Sequence, residues 1–209
     1  MSIFDPRERA VSRSSRSTIS LYRVSQAMGH MLRGRAQARG LSPAQLRALL
    51  FLRYARPGLQ TIGGLAERLA VSYATASGVV DALERKALVE RRADAADQRV
   101  TRLALTETGR AEVAAVENVL DGIEETIAAL PAAEQQALER GLQAIVGRLQ
   151  AQGHVQVYEM CWGCHFFREN AHPENTAGPH HCAFVDAPLP EPNTYLECPD
   201  FVPRGAIKS

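Results

Sequence analysis

Apolar positions recur at helical spacing through most of the first 150 residues, with turn signals that divide them into short elements. Residues from about Thr18 to Ala38 predict a long helix that Gly40 stops. Ser42-Pro43-Ala44-Gln45 then supplies an N-cap serine, a proline at the first helical position and a glutamine at the third. Leu46, Leu49, Leu50 and Arg53 follow at helical spacing, so a second helix is predicted, ending before Pro57-Gly58. Thr61 to Leu69 predicts a short third helix, and Ser72 caps a fourth running through Val79, Val80 and Leu83 to about Lys86. Two short helices across a tight joint make a helix-turn-helix.

The period then changes. Leu88 to Arg92 and Val100 to Leu105 read as two strands joined by a polar turn, Ala93 to Arg99, and so form a basic β-hairpin. Thr106 caps a predicted helix that carries Val113, Val116, Val119, Leu120, Ile123 and Ile127 down one face to Leu130. Pro131 opens another, striped by Leu138, Leu142, Ile145, Val146 and Leu149. Ala137 and Ala144 make its opposite face partly apolar, so these last two helices can bury more than one seam. From Gly153 onward periodicity fades, and residues 151–209 hold seven of the eleven prolines and seven of the twelve aromatics. A tail of that texture is loop-rich and needs a staple.

Composition sharpens this picture in two places. The 209 residues are 45% apolar and 22% charged, enough for a sizeable core, and no apolar run approaches the roughly 18 residues of a membrane helix. The first thirty residues hold no signal-type apolar segment, so a cytoplasmic protein without membrane contact is expected. The net charge of +1 conceals a strong asymmetry. Residues 1–110 carry 19 Lys/Arg against 9 Asp/Glu, while residues 111–209 carry 5 against 14. A basic half of that size suits a surface that meets phosphate.

A family resemblance now becomes specific. Residues 41–110 resemble the MarR transcriptional regulators, through "LSPAQLRALLFL", "TIGGLAERLAVSYATASGVVDALERKALVERR" and the wing sequence Asp94-Ala95-Ala96-Asp97-Gln98-Arg99-Val100. The family's Asp-x-Arg matches Asp97 and Arg99, and its Leu-Thr-x-x-Gly matches Leu105, Thr106 and Gly109. One departure is Lys86-Ala87, where the family commonly places a left-handed glycine; keeping that backbone with alanine costs about 1 kcal/mol. The resemblance spans about residues 18–150. It implies a mainly α fold with a small β wing, that is, a winged helix-turn-helix over 41–106 flanked by dimerisation helices at 18–40 and 107–152. A flexible basic arm at 1–17 precedes these and the tail, 153–209, follows. It further implies a homodimer that reads a pseudo-palindromic double-stranded operator, with half-sites about 34 to 36 Å apart.

The residue chemistry agrees with that implication. A helix entering a major groove about 12 Å wide must present small and polar side chains at its first turns, and Ser72, Tyr73, Ala74, Thr75 and Ser77 do so. Arg91, Arg92, Arg99 and Arg102 charge the hairpin for a minor groove or backbone, and Asp97 is expected to position Arg99 or close the turn.

All four cysteines, Cys161, Cys164, Cys182 and Cys198, fall in the last 49 residues with spacing C-x2-C-x17-C-x15-C. In a reducing compartment clustered cysteines point to metal or redox chemistry rather than a disulfide framework. A four-thiolate site explains how a Pro-rich tail can be ordered, since ligand bonds replace a missing core. An iron-sulfur cluster, 4Fe–4S or 2Fe–2S, is favoured because it tolerates irregular spacing. Cys198-Pro199 after a C-x2-C also resembles a ferredoxin-type run, and Trp162, Phe166, Phe167, Phe184 and Phe201 would shield it. Structural zinc is the alternative. Two further readings stay open: c-type haem from the literal C-x-x-C-H at Cys161 to His165, and a metal-free thiol switch. Four cysteines already complete a tetrahedral set, so His165, His180 and His181 are expected to be loop histidines. A closed site leaves no open coordination position and no nucleophile-base constellation lies beside it, so an enzyme is not expected. The expected function is transcriptional regulation with operator affinity set by the cluster. The alternative is a repressor released by a small aromatic effector, with zinc holding the tail.

Overall fold

Side-chain caps set most of the helix starts. Ser42 Oγ accepts from the Gln45 N–H (3.2 Å) and Gln45 Oε1 accepts from the Ser42 N–H (2.9 Å), the reciprocal pair that opens α3, Pro43–Tyr54. Thr61 Oγ1 caps Gly64 at the start of α4, Ile62–Leu69. Ser72 Oγ caps Thr75 at the start of α5, Tyr73–Arg85. Ahead of them lie a single turn, α1, Pro6–Arg9, and the long α2, Arg13–Ala38. Ser12 caps α2 through the Ser15 N–H at 3.0 Å, so the helix begins five residues earlier than the apolar pattern predicts and takes residues 13–17 out of the expected arm.

The computed structural model describes residues 2–55, 57–93, 100–154, 161–195, 198 and 201–204. They gather into two compact units, Met1–Tyr54 with Ser72–Ala129, and Ala55–Val71 with Leu130–Ser209.

In the first unit α3 packs against α2, α5, β2 and α6, and its Leu46, Leu49 and Leu52 are buried with Val80 and Leu83 of α5. The strands β1, Val89–Ala93, and β2, Thr101–Leu105, pair antiparallel with Val89 opposite Leu105 and Arg92 opposite Arg102. Between α5 and β1 the chain turns through Ala87 at φ 55°. The Ala87 N–H donates to Glu84 O (2.8 Å) and the Leu88 N–H to Leu83 O (3.0 Å), a Schellman closure with alanine in the glycine position.

The helix expected over 107–130 is divided. Glu107–Ala114 forms α6 and Asp121–Ala128 forms α7, with turns between. Val116 and Val119 donate to carbonyls three residues back, and this tighter winding lines Val113, Val116 and Val119 up toward the core, where all three are buried. Tyr54 Oη donates to Glu117, Arg35 reaches the Ala115 carbonyl (3.2 Å), and Arg39 grips Glu112 with two bonds of 2.6 and 2.7 Å.

The second unit holds α4, α8, Ala132–Ala151, and the tail. The tail contains a three-stranded antiparallel sheet that the sequence pattern does not predict: β3, Phe167–Arg168, β4, His180–Cys182, and β5, Ala187–Leu189, in that order. Tight turns at Cys161–Gly163 and Glu191–Tyr195 flank it. Trp162 fastens the second of these, donating from Nε1 to the fully buried Thr194 (3.2 Å) and packing edge-on to Phe167 and His180. No helix among the described residues is long and apolar enough to cross a membrane.

Candidate nucleic-acid interface and cysteine cavity

The N-terminal turn of α5 is open, with residues 70–75 all exposed. Ala76, Val80 and Leu83 bury its inner face, which leaves Ser72, Tyr73, Ala74 and Thr75 exposed and Ser77 half-buried on the outer one. Tyr73 is 63% exposed, a large ring held in water with no core to fill. Ser72 Oγ and Thr75 Oγ1 lie 2.9 Å apart, so the cap also fixes the hydroxyl rotamers at the helix tip.

The hairpin arginines divide by role. Arg91 bonds Asp81 (2.6 Å) and Glu84, two carboxylates one turn apart on α5, and so braces the wing against that helix. Sequence reasoning placed Arg91 with the DNA contacts and missed this clamp, whose signal was the i, i+3 spacing of the two acids. Arg92, exposed, pairs with its near neighbour Glu90, and it stands directly across the ladder from Arg102. Two guanidinium groups on one face of the strand pair give the hairpin a positive surface that suits an anion. Asp97 and Arg99, which the sequence assigns to the turn between the two strands, lie outside the described residues.

The start of α6 is built around Thr106. Its hydroxyl accepts from the Gly109 N–H (2.9 Å) and donates to the Ala87 carbonyl (2.7 Å), while its own N–H donates to Leu88 O (3.1 Å). Thus the Leu-Thr-x-x-Gly pattern ties α6 to the exit of α5, and Lys86 Nζ adds a bond to Gly40 O (2.6 Å).

Residues 39–100 match the MarR family model. That match covers 62 of the 209 residues, the stretch that holds α3, α4, α5 and β1. Over 95 residues, 46% of the chain, the protein is 33% identical to the HTH-type transcriptional repressor YetL of Bacillus subtilis, and it spans 57% of that relative's length. The crystal structure of a complex of S. aureus MepR with DNA matches 63% of this chain and 97% of its own at 25% identity, TM-score 0.54. A glycine-to-lysine mutant of MepR matches 64% and 98%, also at 25% identity, TM-score 0.52. The likeness to these structures shows the mainly α winged-helix fold with its small β wing. The cysteine-rich tail lies beyond the matched family residues.

That tail brings its four sulfurs to one place. Cys161, Cys164, Cys182 and Cys198 all line a cavity of about 50 Å³, whose other walls are Phe166, Phe167, Phe184, Val185, Leu189 and Phe201. All four are free thiols. Burial, and then the neighbouring Cys164, Cys198 and Cys182, push the Cys161 thiol up to about 11. Among the described residues no group of three or more His, Cys, Asp or Glu is drawn together tightly enough to enclose a metal ion. The histidines are engaged elsewhere. His180, buried, accepts the Asn170 N–H at Nδ1 (3.2 Å) and therefore carries its proton at Nε2, against Glu191 (2.5 Å). His181 lies 3.0 Å from His172 through Nδ1 and 3.2 Å from Asp186 through Nε2.

Proposed function

We propose that the protein is a MarR-type transcriptional regulator, a binding protein rather than an enzyme, that reads a pseudo-palindromic operator as a homodimer. The observation that carries this reading is the exposed tip of α5, Ser72 to Thr75, beside a hairpin with Arg92 and Arg102 face to face. Small polar side chains let the helix approach base edges, and the hairpin arginines take phosphate or the adjacent minor groove. The names of YetL and of the MepR complex with DNA support the same partner class. Dimer formation accounts for helices whose apolar residues find no core in one chain. Neither α7 nor α8 has a buried residue, and Ile145 is 41% exposed within the stripe of Leu138, Leu142, Val146 and Leu149. A test is selection of bound duplexes from a random pool by the full chain. Enrichment of inverted half-sites about 10 base pairs apart supports the reading, and an unenriched pool contradicts it.

In the same reading the four cysteines hold an iron-sulfur cluster. Support comes from the convergence of all four on a cavity walled by phenylalanines and aliphatic residues, which would keep water from the sulfurs. Redox, oxygen, nitric oxide or iron status acts on such a cluster and supplies the signal, and the tail responds as a two-state element that biases operator affinity. Anaerobically purified protein should be brown with matching iron and sulfide; colourless protein with one zinc per chain would replace the sensor with a structural staple.

A further inference from the structure

A second, larger cavity lies in the tail unit, between α8 and the turn that carries Cys161 and Cys164. It encloses about 460 Å³, within the roughly 300 to 1,000 Å³ of small-molecule sites. From α8 it takes Arg140, Ala144, Gly147 and Arg148, and from the tail Trp162 and Arg204. At 100° per residue the α8 lining residues fall on the side opposite Leu138, Leu142, Ile145 and Leu149. The trough is therefore separate from the apolar stripe offered to a second copy.

Its chemistry is directional. Arg140 and Arg148 are two turns apart, about 12 Å along the axis, and Ala144 and Gly147 between them leave the floor open. Among the described residues neither guanidinium has a hydrogen-bond or ion-pair partner. Arg204 is pinned at the rim, its N–H on Gly163 O (2.9 Å) and its Nε on Cys164 O (3.2 Å). Glu169 is the one carboxylate in the lining, so three arginines leave a net +2. Trp162 commits its N–H to Thr194, which leaves its ring as apolar wall.

The geometry points to a binding site for a small phosphomonoester that carries a flat ring. A phosphomonoester brings about −1.5 to −2 charge at pH 7 and three strong acceptors, a match to the net +2 that a carboxylate does not provide. The ring lies along Trp162. This site depends on neither the DNA-binding nor the metal reading.

Trp162 is the chain's only tryptophan, so its fluorescence reports the site directly. Full-length protein is titrated with phenyl phosphate, inorganic phosphate and benzoate. The site predicts a saturable change with phenyl phosphate, and apparent affinities at least about tenfold weaker for the other two. It also predicts that R140Q/R148Q, two exposed positions where glutamine preserves helix propensity, weakens phenyl phosphate about tenfold or more while melting stays at the wild-type temperature. Absence of saturation in the wild type, equal binding of benzoate, or undiminished binding by the folded double variant would overturn the assignment.

Discussion

Gly109 lies so close to Leu88 that a Cβ placed on it would stand 1.9 Å from the Leu88 carbonyl oxygen. That oxygen is backbone, fixed by its bond from the Thr106 N–H, and cannot rotate away. The glycine of the Leu-Thr-x-x-Gly pattern is therefore a packing requirement where α6 crosses the start of β1.

Gly109→Ala should destabilise the protein by at least about 1 to 3 kcal/mol, the usual scale of forced overpacking. Thr106→Ala, which removes the cap on the same turn, should cost about 1 kcal/mol. Urea unfolding of both variants checks the pair. A Gly109→Ala chain as stable as wild type would mean that the α6–β1 approach is looser than described.

The opposite sign is expected at Ala87. Its φ of 55° is a left-handed conformation that costs an L-residue about 1 kcal/mol and costs glycine nothing. Ala87→Gly should raise stability by up to that amount, and Ala70→Gly, at φ 54° after α4, should do the same. A lower melting temperature in both would contradict left-handed closures after α4 and α5.

Acid should loosen the contact between α2 and α6. The Arg39 guanidinium, bonded twice to Glu112, holds that carboxyl below its ordinary value. A depressed carboxyl contributes stability that is present above the unfolded-state value, near 4.5, and lost as pH falls through the lower folded-state value. Glu112→Gln should therefore be less stable than wild type at pH 7, with the difference shrinking below about pH 4.5. A difference independent of pH would assign the effect to packing alone.

For the tail, any one of Cys161→Ser, Cys164→Ser, Cys182→Ser and Cys198→Ser should lower the metal bound per chain. Metal and sulfide analysis of anaerobically purified variants decides this. Full wild-type loading in all four would remove the thiols from metal binding.

Local chemistry made much of this fold legible. Ser42 with Gln45, Ser72 and Thr106 each mark a helix start in sequence and each makes the capping bond expected of it, while Thr61, read as the first residue of a helix, caps it instead. The break after Ala114 was hidden because Val113, Val116 and Val119 continue into Ile123 and Ile127 with spacings that a single helix also satisfies. The tail sheet was hidden for another reason. Strands of two or three residues such as His180–Cys182 are too short to show alternation, and non-local pairing makes them. At the candidate interface, the exposed tip of α5 was readable from Ser72 to Thr75, whereas the capture of Arg91 by Asp81 and Glu84 required the register between hairpin and helix.

Binding of duplex DNA by α5 and the wing should depend steeply on salt, because arginines that meet phosphates release counterions. Fluorescence anisotropy of a labelled selected duplex is followed across salt concentrations for wild type, Arg99→Ala and Arg102→Ala. Wild type should show a steep log–log slope, and each arginine that meets a phosphate should take about 0.9 from it on replacement, with weaker binding throughout. Unchanged affinity and slope in both variants would contradict it.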